Sequence, residues 1–538
     1  MNPLLRKSVL KQMLVSGLQI APDALDYICS LPNPYDALDA VIRRAKSLES
    51  LTVVEFAFVR DVIAGTEPDP TMKTPSDRQG TLEDEVDNLH NLHTRATHEE
   101  TEKLTVIKNP ELKYLGSSGQ VEDFLALFRD RLQRLKKLYN MRVDTAGALS
   151  PGVAKTQHTD RGWQLGMSQD GERFRRPSSV TVIGMIREKS VSRSRNVVFE
   201  IEDADDSIVC VVPAARKAKD SNTSLARDAS VILNDEVVCV SGYLDRDRRM
   251  IVERIIFPDV PTTPQARWAR RDVYAAFVSD IHYGNKECLI EDFRRFLNWT
   301  RGVDVDSSDR ELVEHLEYLF IAGDLCDGVG IYPGQENDLA IPDIYDQYDK
   351  FAQDIRLLPE KIQVVCIPGN HDVSRQALPR PPIPREFAEG LYEMEGRVHI
   401  MGDPCQIRAE GVSILITHGD ALDDLVTQVP SATYRDPAMP MKELLRKRHL
   451  APMYGGKTEL APLPRDWMVI EEVPSIVHFG HAHHNAVDNY RSVQIINSGT
   501  FQNQTEFMRK QGIVPTPGIV TLVNLRTGAP EVKVFHEY

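Results

Sequence analysis

The chain has 538 residues, a formal net charge of −15 at pH 7 and seven cysteines that form no CxxC pair. That length predicts two or three domains, and the scattered cysteines argue against a zinc ribbon or a disulfide scaffold. No apolar run approaches the length of a membrane span and the first residues lack a signal-peptide stretch, so we expect a cytoplasmic protein. The acidic balance is unusual for a nucleic-acid-binding domain, although a basic groove can be local or come from a partner.

The N-terminal region carries apolar residues at helical spacing. Residues 1–65 contain them in short runs separated by turn residues such as Pro22 and Pro32, which predicts a small helical interaction domain. Residues 66–115 are rich in charged and polar residues and contain too few apolar ones to bury a core. We therefore predict a disordered linker there.

The next region changes from helical to strand periodicity. An amphipathic helix is predicted over residues 121–140, and five alternating apolar runs follow between Val180 and Pro258, with a long excursion before the fourth. This pattern is typical of an OB-type barrel, and we assign residues 116–265 to it together with the preceding helix. Such barrels bind single-stranded nucleic acid through aromatic residues. Because this one has few, docking to another protein is the favoured alternative.

From residue 266 to the C-terminus, apolar strand runs alternate with helical segments, which indicates an α/β-layered domain. Five short motifs stand at the ends of these runs. They are Asp-Ile-His at 280–282, Gly-Asp-Leu-Cys-Asp at 323–327, Gly-Asn-His-Asp at 369–372, His-Gly at 418–419 and Gly-His-Ala-His at 480–483. Their oxygen and nitrogen donors suit a pair of divalent cations, which can clamp the attacking and leaving oxygens of a phosphodiester.

The spacing within the motifs suggests which residues reach a metal ion. In an extended stretch Asp280 and His282 point the same way and can reach one ion together. Gly323 permits the tight turn that directs Asp324 into the site, where its two oxygens can bridge two ions. Asn370 can offer its carbonyl oxygen to the second ion.

The histidines divide into ligands and a candidate for catalysis. His418 ends a strand, and we expect His481 and His483 to serve one ion each. His371 is then left to protonate a leaving oxygen or to stabilise phosphoryl charge. Asp372 could hold the His371 ring in the correct tautomer.

In these five motifs, residues 273–483 resemble the calcineurin-like metallophosphoesterases, which include the nuclease of the double-strand-break repair complex. The resemblance implies one ion held by Asp280, His282, Asp324 and His483. It implies a second ion held by Asp324, Asn370, His418 and His481. It also implies that His371 is the catalytic histidine and that the metal is manganese, with magnesium as the alternative.

Two further segments extend the resemblance. Residues 444–455 (LLRKRHLAPMYG) and 496–505 (INSGTFQNQT), followed by Pro-Thr-Pro-Gly at 515–518, look like the small subunits of archaeal family D DNA polymerase. That family also has the order of helical region, linker, OB barrel and phosphoesterase. The resemblance implies a multidomain α/β protein with a proofreading 3′–5′ exonuclease in residues 266–538. It implies as partners a large polymerising subunit and the DNA primer 3′ end. A sliding clamp is a further candidate partner, without a convincing motif.

A basic segment leaves two interpretations open. Arg446, Lys447, Arg448 and His449 could contact the DNA backbone, or they could form a solvated or salt-bridged helix face. Two alternatives to the nuclease also remain. The chain could be a non-catalytic scaffold subunit, or it could be a stand-alone metallophosphoesterase or repair nuclease.

Overall fold

A computed structural model of the chain falls into two compact units, Met1–Glu100 and Thr101–Tyr538. The residues that the structure describes are 9, 13, 16, 19–20, 22–31, 33–46, 53–54, 56–64, 103–157, 164–167, 173–176, 179–214, 223–263 and 267–537. Most of the predicted linker, residues 66–102, lies outside them. None of the helices in the described ranges is long and apolar enough to span a bilayer.

The first unit is helical in the part that is described. Its elements are β1 (Gln19–Ile20), α1 (Pro22–Ser30), α2 (Pro34–Lys46), β2 (Val53–Val54) and α3 (Phe56–Ala64), with β1 and β2 paired in parallel. Leu25, Ile28 and Val41, spaced as expected for amphipathic helices, are buried in one apolar cluster. The predicted helices are confirmed, and a role in interaction stays a prediction.

The end of the predicted linker is a strand. Strand β3 (Leu104–Lys108) pairs antiparallel with β15 (Cys405–Ala409) at the edge of a six-stranded sheet. A single 3-10 turn, Leu112–Tyr114, follows it. The linker prediction is therefore wrong for residues 103–115, because this short strand is completed by a partner nearly 300 residues away, which the polar sequence around it does not indicate.

The predicted long helix and barrel are confirmed. Helix α4 (Val121–Asn140) begins with a capping box between Gln120 and Asp123. A short helix, α5 (Pro151–Gln157), and a strand pair, β4 (Gln164–Met167) and β5 (Arg173–Arg176), precede the barrel. The barrel is closed and consists of β6 (Val180–Val191), β7 (Val197–Glu202), β8 (Ser207–Val212), β9 (Val237–Leu244) and β10 (Met250–Ile256).

Around the closed barrel the strand order is β6, β7, β8, β10, β9, and β9 pairs with β6. The third and fifth strands pair in parallel. Helix α6 (Thr223–Val231) lies in the excursion before the fourth strand. Alternate side chains of β7, β8 and β10, such as Phe199 and Ile201 of β7, are buried, whereas β9 is buried along most of its length.

The C-terminal region is built on two six-stranded sheets. The first has the order β14 (Val398–Ile400), β13 (Gln363–Ile367), β12 (Leu316–Ala322), β11 (Tyr274–Val278), β20 (Ile519–Asn524) and β21 (Pro530–Val534). The second has the order β18 (Ala486–Tyr490), β19 (Val493–Asn497), β17 (Ile476–Phe479), β16 (Val412–Ile416), β15 and β3. Strands β11, β12 and β13 are mutually parallel, as are β16, β17 and β19.

The two sheets face each other across an apolar cluster that includes Phe277, Phe320, Ile414 and Ile496. The other face of the first sheet is covered by α7 (Ile290–Thr300), α8 (Arg310–His315), α9 (Ile344–Ile355) and α10 (Glu389–Tyr392), which contribute to one further apolar cluster. The second sheet shares a cluster with the barrel and with α11 (Leu422–Gln428) and α12 (Ala438–Lys447). A last helix, α13 (Glu506–Gln511), precedes β20. The predicted α/β layering is thus confirmed.

Candidate metal centre and its surroundings

The candidate ligands stand at the carboxyl ends of parallel strands from both sheets. Because parallel strands of one sheet end at the same edge, residues that follow them gather there. The predicted ligands, each after the strand named, are Asp280 and His282 (β11), Asp324 (β12), Asn370 (β13), His418 (β16), and His481 and His483 (β17). The facing of the two sheets brings the two sets of strand ends together.

The backbone at these positions is strained. Asp280, His282, Asp324, His481 and His483 all have positive φ angles between 51° and 64°. Residues with a Cβ rarely occupy this left-handed region, at a cost of about 1–3 kcal/mol each. The surrounding structure must therefore impose the turns, which direct the side chains inward. A concentration of such residues is typical of functional sites.

The first cluster consists of Asp280, His282 and His483. The Nε2 atoms of His282 and His483 lie 3.2 Å apart, and His483 Nε2 lies 3.2 Å from Asp280 Oδ1. The three side chains are buried, and one ligand atom from each lies within 4.8 Å of the others. A single cation could contact all three.

Asp324 links this cluster to a second one. Its Oδ2 atom lies 3.6 Å from His282 Nε2 and 3.4 Å from His418 Nε2. His418 Nε2 lies 2.9 Å from Asn370 Oδ1, and the His481 ring centroid is 5.2 Å from that of His418. The structure thus brings all seven predicted ligand residues together, with Asp324 in the central position expected of a bridging carboxylate.

The donor set fits divalent metal ions. The imidazole nitrogens and carboxylate oxygens of the first cluster converge within 4.8 Å of one another, as the ligands of a single cation would. Burial would raise the pKa of Asp324, yet His418 and His371 outweigh it and lower that pKa well below its ordinary value. Burial opposes protonation of His282, but its hydrogen bond to the Asp327 carboxylate and the negative charges of Asp324 and Asp280 together outweigh burial and raise the His282 pKa to about 9. Without metal, protons on the rings balance the carboxylates, and a bound cation would replace them.

His371 differs from the other histidines. Its Nδ1 lies 2.9 Å from the main-chain oxygen of Asp327, which can only accept, so Nδ1 carries the hydrogen and Nε2 is left for a ligand. Its main-chain N–H donates to Asp324 Oδ1 at 2.8 Å. The side chain is 19% exposed, and burial lowers its pKa despite the nearby Asp324. His371 therefore lies at the accessible edge of the cluster in its neutral form.

The role predicted for Asp372 is wrong. Its buried carboxylate accepts hydrogen bonds from the N–H groups of Leu325, Cys326 and Gly369 and from the hydroxyl of Tyr348. It thereby ties the turn after β12 to the turn after β13. The residue that orients the His371 ring is Asp327 instead, through its main-chain oxygen.

Two acidic residues near the centre were missed by the sequence analysis. Asp327 Oδ1 lies 3.1 Å from His282 Nδ1, and Asp423 Oδ1 lies 3.0 Å from His481 Nε2. Asp327 is the last residue of the Gly323–Asp327 motif, so its place in the motif was an available signal. Asp423 lies in helix α11, five residues after His418, where the sequence offers no pattern that marks it.

The predicted DNA contacts of the basic segment are wrong for its buried members. Lys447, Arg448 and His449 are 2%, 4% and 1% exposed. Lys447 pairs with Glu236 of the barrel at 2.6 Å, and His449 pairs with Asp466 at 2.9 Å. These side chains are therefore unavailable to a DNA backbone.

The same segment joins the barrel to the second sheet. Arg446 pairs with Asp228 of helix α6 at 2.6 Å, and the guanidinium of Arg448 donates to the main-chain oxygens of Asp259, Ile470 and Glu471. The salt-bridged alternative is thus the one that the structure shows. Its partners are internal to the chain.

The chain is similar to known proteins in the region that contains the candidate ligands and beyond it. Residues 275–487, which include all the candidate ligands, match the family model of the B-type subunit of DNA polymerases alpha and epsilon. A DNA polymerase II small subunit from Archaeoglobus fulgidus is 35% identical over 96% of this chain and 95% of its own length. One from Pyrococcus furiosus is 38% identical over 80% of this chain and 66% of its own length.

The chain thus spans slightly less than two thirds of the Pyrococcus relative that it matches. Among solved structures, a novel archaeal phosphodiesterase aligns with 49% of this chain and 99% of its own, at 13% identity and a TM-score of 0.26. That score is too low to support an argument. The near full-length match to the Archaeoglobus protein is decisive, and the chain belongs to the family of archaeal DNA polymerase II small subunits, those of the family D DNA polymerase.

Proposed function

We propose that this small subunit is a two-metal phosphodiesterase that removes nucleotides from the 3′ end of DNA. The observation that supports this proposal most is the convergence of seven residues with oxygen and nitrogen donors from five strand ends into one cluster, in which five of the residues are buried. Five of these residues have left-handed backbone conformations, a form of strain that is often concentrated at functional sites.

The residues divide naturally between two cations. Asp280, His282 and His483 would hold one, Asn370, His418 and His481 would hold the other, and Asp324 would serve both. When bound, such a pair of ions stabilises negative charge on the phosphoryl, attacking and leaving oxygens. The carboxylate and amide oxygens suit manganese or magnesium, and we propose manganese, with magnesium as the alternative.

His371 would act on the substrate itself. With Nδ1–H fixed by the Asp327 carbonyl, Nε2 is the ring atom that can face a phosphodiester. The neutral ring can take a proton from a water molecule at Nε2, and the imidazolium so formed can donate that proton to the leaving oxygen. Asp327 keeps the ring oriented during both steps, because its main-chain oxygen does not change protonation state.

The rest of the chain fits a subunit of a larger enzyme. We propose that polymerisation resides in a separate large subunit and that the primer 3′ end reaches the metal centre from it. The barrel, which we take to be OB-type, and the N-terminal helices are the candidate docking elements. Proofreading would then follow from transfer of a mismatched 3′ end to this chain.

A time course on 5′-labelled primers, paired and mismatched, with manganese or magnesium, tests the proposal. The wild type should shorten the mismatched primer from its 3′ end, whereas Asp324→Ala and His371→Ala should remove the activity. His315→Ala, which alters a histidine of helix α8 outside the centre, is the matched control. Undiminished cleavage by the His371 variant would overturn its assignment. A wild type that cleaves no DNA with either metal, alone or with the large subunit, would leave only a scaffold role.

A further inference from the structure

An exposed aromatic side chain stands beside the candidate catalytic histidine. Tyr332 is 37% exposed, and its ring centroid lies 6.3 Å from that of His371, with an angle of 65° between the rings. Among the aromatic contacts of the described residues, His371 is the ring partner of Tyr332. A partly exposed aromatic ring thus lies beside His371, at the accessible edge of the candidate site.

The segment that carries Tyr332 is fixed to the metal centre. Gln335, which is 1% exposed, donates from Nε2 to the main-chain oxygen of Asp327 at 2.8 Å and to its Oδ2 at 2.9 Å. Its Oε1 accepts from the N–H of Ile331 at 2.9 Å. The same Asp327 oxygen orients the His371 ring, so the positions of Tyr332 and His371 depend on a common anchor.

The ring itself is also held. The Tyr332 hydroxyl donates to Asp338 at 2.9 Å, and the main-chain oxygen of Asp338 accepts from the N–H of Lys286 at 2.9 Å. A ring tethered by its hydroxyl keeps its face in one orientation. A preorganised aromatic face of this kind loses little entropy when a planar group stacks on it.

The charge of the segment indicates which part of a nucleic acid it would contact. Residues 328–349 contain no lysine or arginine, and they include Glu336 and Asp338 next to the tyrosine. A segment with this charge repels phosphates. A neutral aromatic face accepts a nucleobase of any sequence, because every base has a π-face.

We propose that Tyr332 is the stacking platform for a nucleobase next to the scissile phosphodiester, and that it selects 3′ ends whose bases are unpaired. A base must leave the duplex before it can stack on the tyrosine, and this costs least at a mismatch or in a single strand. Tyr332 would therefore be a specificity-determining residue rather than a catalytic one. This inference rests on the proposed nuclease function.

The test compares substrates with and without the base. Wild type, Tyr332→Ala and Tyr332→Phe are assayed with manganese on single-stranded oligonucleotides with normal 3′ ends. They are also assayed on matched oligonucleotides with a tetrahydrofuran abasic residue at the last or the penultimate position. Loss of one base–aromatic stack should lower kcat/KM of the alanine variant by about 5- to 150-fold on the normal end. The phenylalanine variant keeps the ring but loses the hydroxyl bond to Asp338, so its loss on the normal end should be clearly smaller than that of the alanine variant.

On the abasic substrate that removes the stacked base, wild type and Tyr332→Ala should become equal. An equal loss by the alanine variant on all substrates would show a structural role and overturn the inference, as would no loss on any. Both results leave the proposed nuclease intact, since the wild type remains active and His371→Ala remains inactive. If the wild type cleaves none of the oligonucleotides, the proposed function itself fails and this inference fails with it.

Discussion

The ammonium group of Lys447 lies 2.6 Å from the carboxylate of Glu236, and the two side chains are 1% and 2% exposed. Lys447 ends helix α12, which packs on the second sheet, and Glu236 precedes strand β9 of the barrel. The pair therefore crosses the contact between barrel and sheet. Burial raises the pKa of the Glu236 carboxyl, and the facing Lys447 opposes that shift.

Replacing Lys447 with methionine should destabilise the protein strongly. It leaves the Glu236 carboxylate buried without its partner, which typically costs about 3–5 kcal/mol. Urea unfolding followed by circular dichroism measures this loss. The double variant Lys447→Met with Glu236→Leu should recover most of it, because both charges are then gone.

Lys442→Met is the matched control for that experiment. Lys442 pairs with Asp488 on the surface, where the side chains are 32% and 44% exposed, so its loss should cost under about 1 kcal/mol. Equal effects of the two single variants would mean that the buried pair does not stabilise the contact between barrel and sheet.

The sequence predicted the metal centre best where metal-binding residue types directly follow a run of apolar residues typical of a buried strand. Each ligand-bearing motif directly follows an apolar strand, and strand ends of parallel sheets meet, so Asp280, Asp324 and His418 could be placed in one centre without coordinates. The alternation from Val180 onward was similarly sufficient for five barrel strands. These predictions depend only on local pattern and on the general geometry of sheets.

The errors concern partners that are distant along the chain. A run such as Arg446–Arg448 shows its charge, but the Asp228 and Glu236 that neutralise it lie more than 200 residues earlier. Asp372 was predicted to orient His371 because the two residues are adjacent in sequence. In the fold its carboxylate instead accepts hydrogen bonds from the turn after β12. Strand β3 was missed because only its pairing with β15 makes it a strand.

Stability should fall in mildly acidic solution because of His478. Its ring is buried, its Nε2 lies 2.6 Å from Ser498 Oγ, and burial lowers its pKa to about 3. The unfolded histidine, with a pKa near 6.5, binds a proton first. The contribution of His478 to the free energy of unfolding is thus complete above about pH 6.5 and is lost as the pH falls toward 3. Between pH 7.5 and pH 5 the loss should be about 2 kcal/mol.

Urea unfolding in EDTA at those two pH values tests this expectation. The comparison is between wild type and His478→Asn, because the other histidines contribute equally to both proteins. The variant should lose about 2 kcal/mol less than the wild type between the two conditions. The same pH dependence in both proteins would show that His478 is not the group responsible.

Gly323→Ala should disturb the metal centre specifically. Gly323 has φ +87°, and a Cβ there would lie 2.6 Å from His418 Nδ1 and 2.7 Å from the Gly369 nitrogen. The clash should displace His418, weaken manganese binding and reduce nuclease activity. Isothermal titration with manganese and the primer assay measure both effects.

Gly302→Ala is the control for Gly323→Ala, since φ is +81° but no atom lies within 4 Å of the added Cβ. It should cost stability of about 1–2 kcal/mol and leave metal affinity unchanged, and similar metal affinities of the two variants would contradict the clash.

Manganese should stabilise the folded chain through the clustered ligands. Binding only to the folded state adds about 2.7 kcal/mol per site when free metal is a hundredfold above Kd. His483→Ala removes a ligand of the first cluster and should reduce the increase in Tm that manganese produces. His484→Ala changes the next residue, which belongs to none of the ligand groups found among the described residues, and should keep the full increase.

The increase in Tm that manganese produces should become larger as the pH rises. Metal binding must displace the proton that Asp327 and the nearby carboxylates stabilise on His282, whose pKa is raised to about 9, so affinity rises with pH up to that range. Thermal unfolding with and without manganese between pH 6 and pH 9 should therefore show a stabilisation that grows as pH rises. An increase in Tm that is independent of pH, or that survives in His483→Ala, would mean that manganese binds elsewhere on the chain.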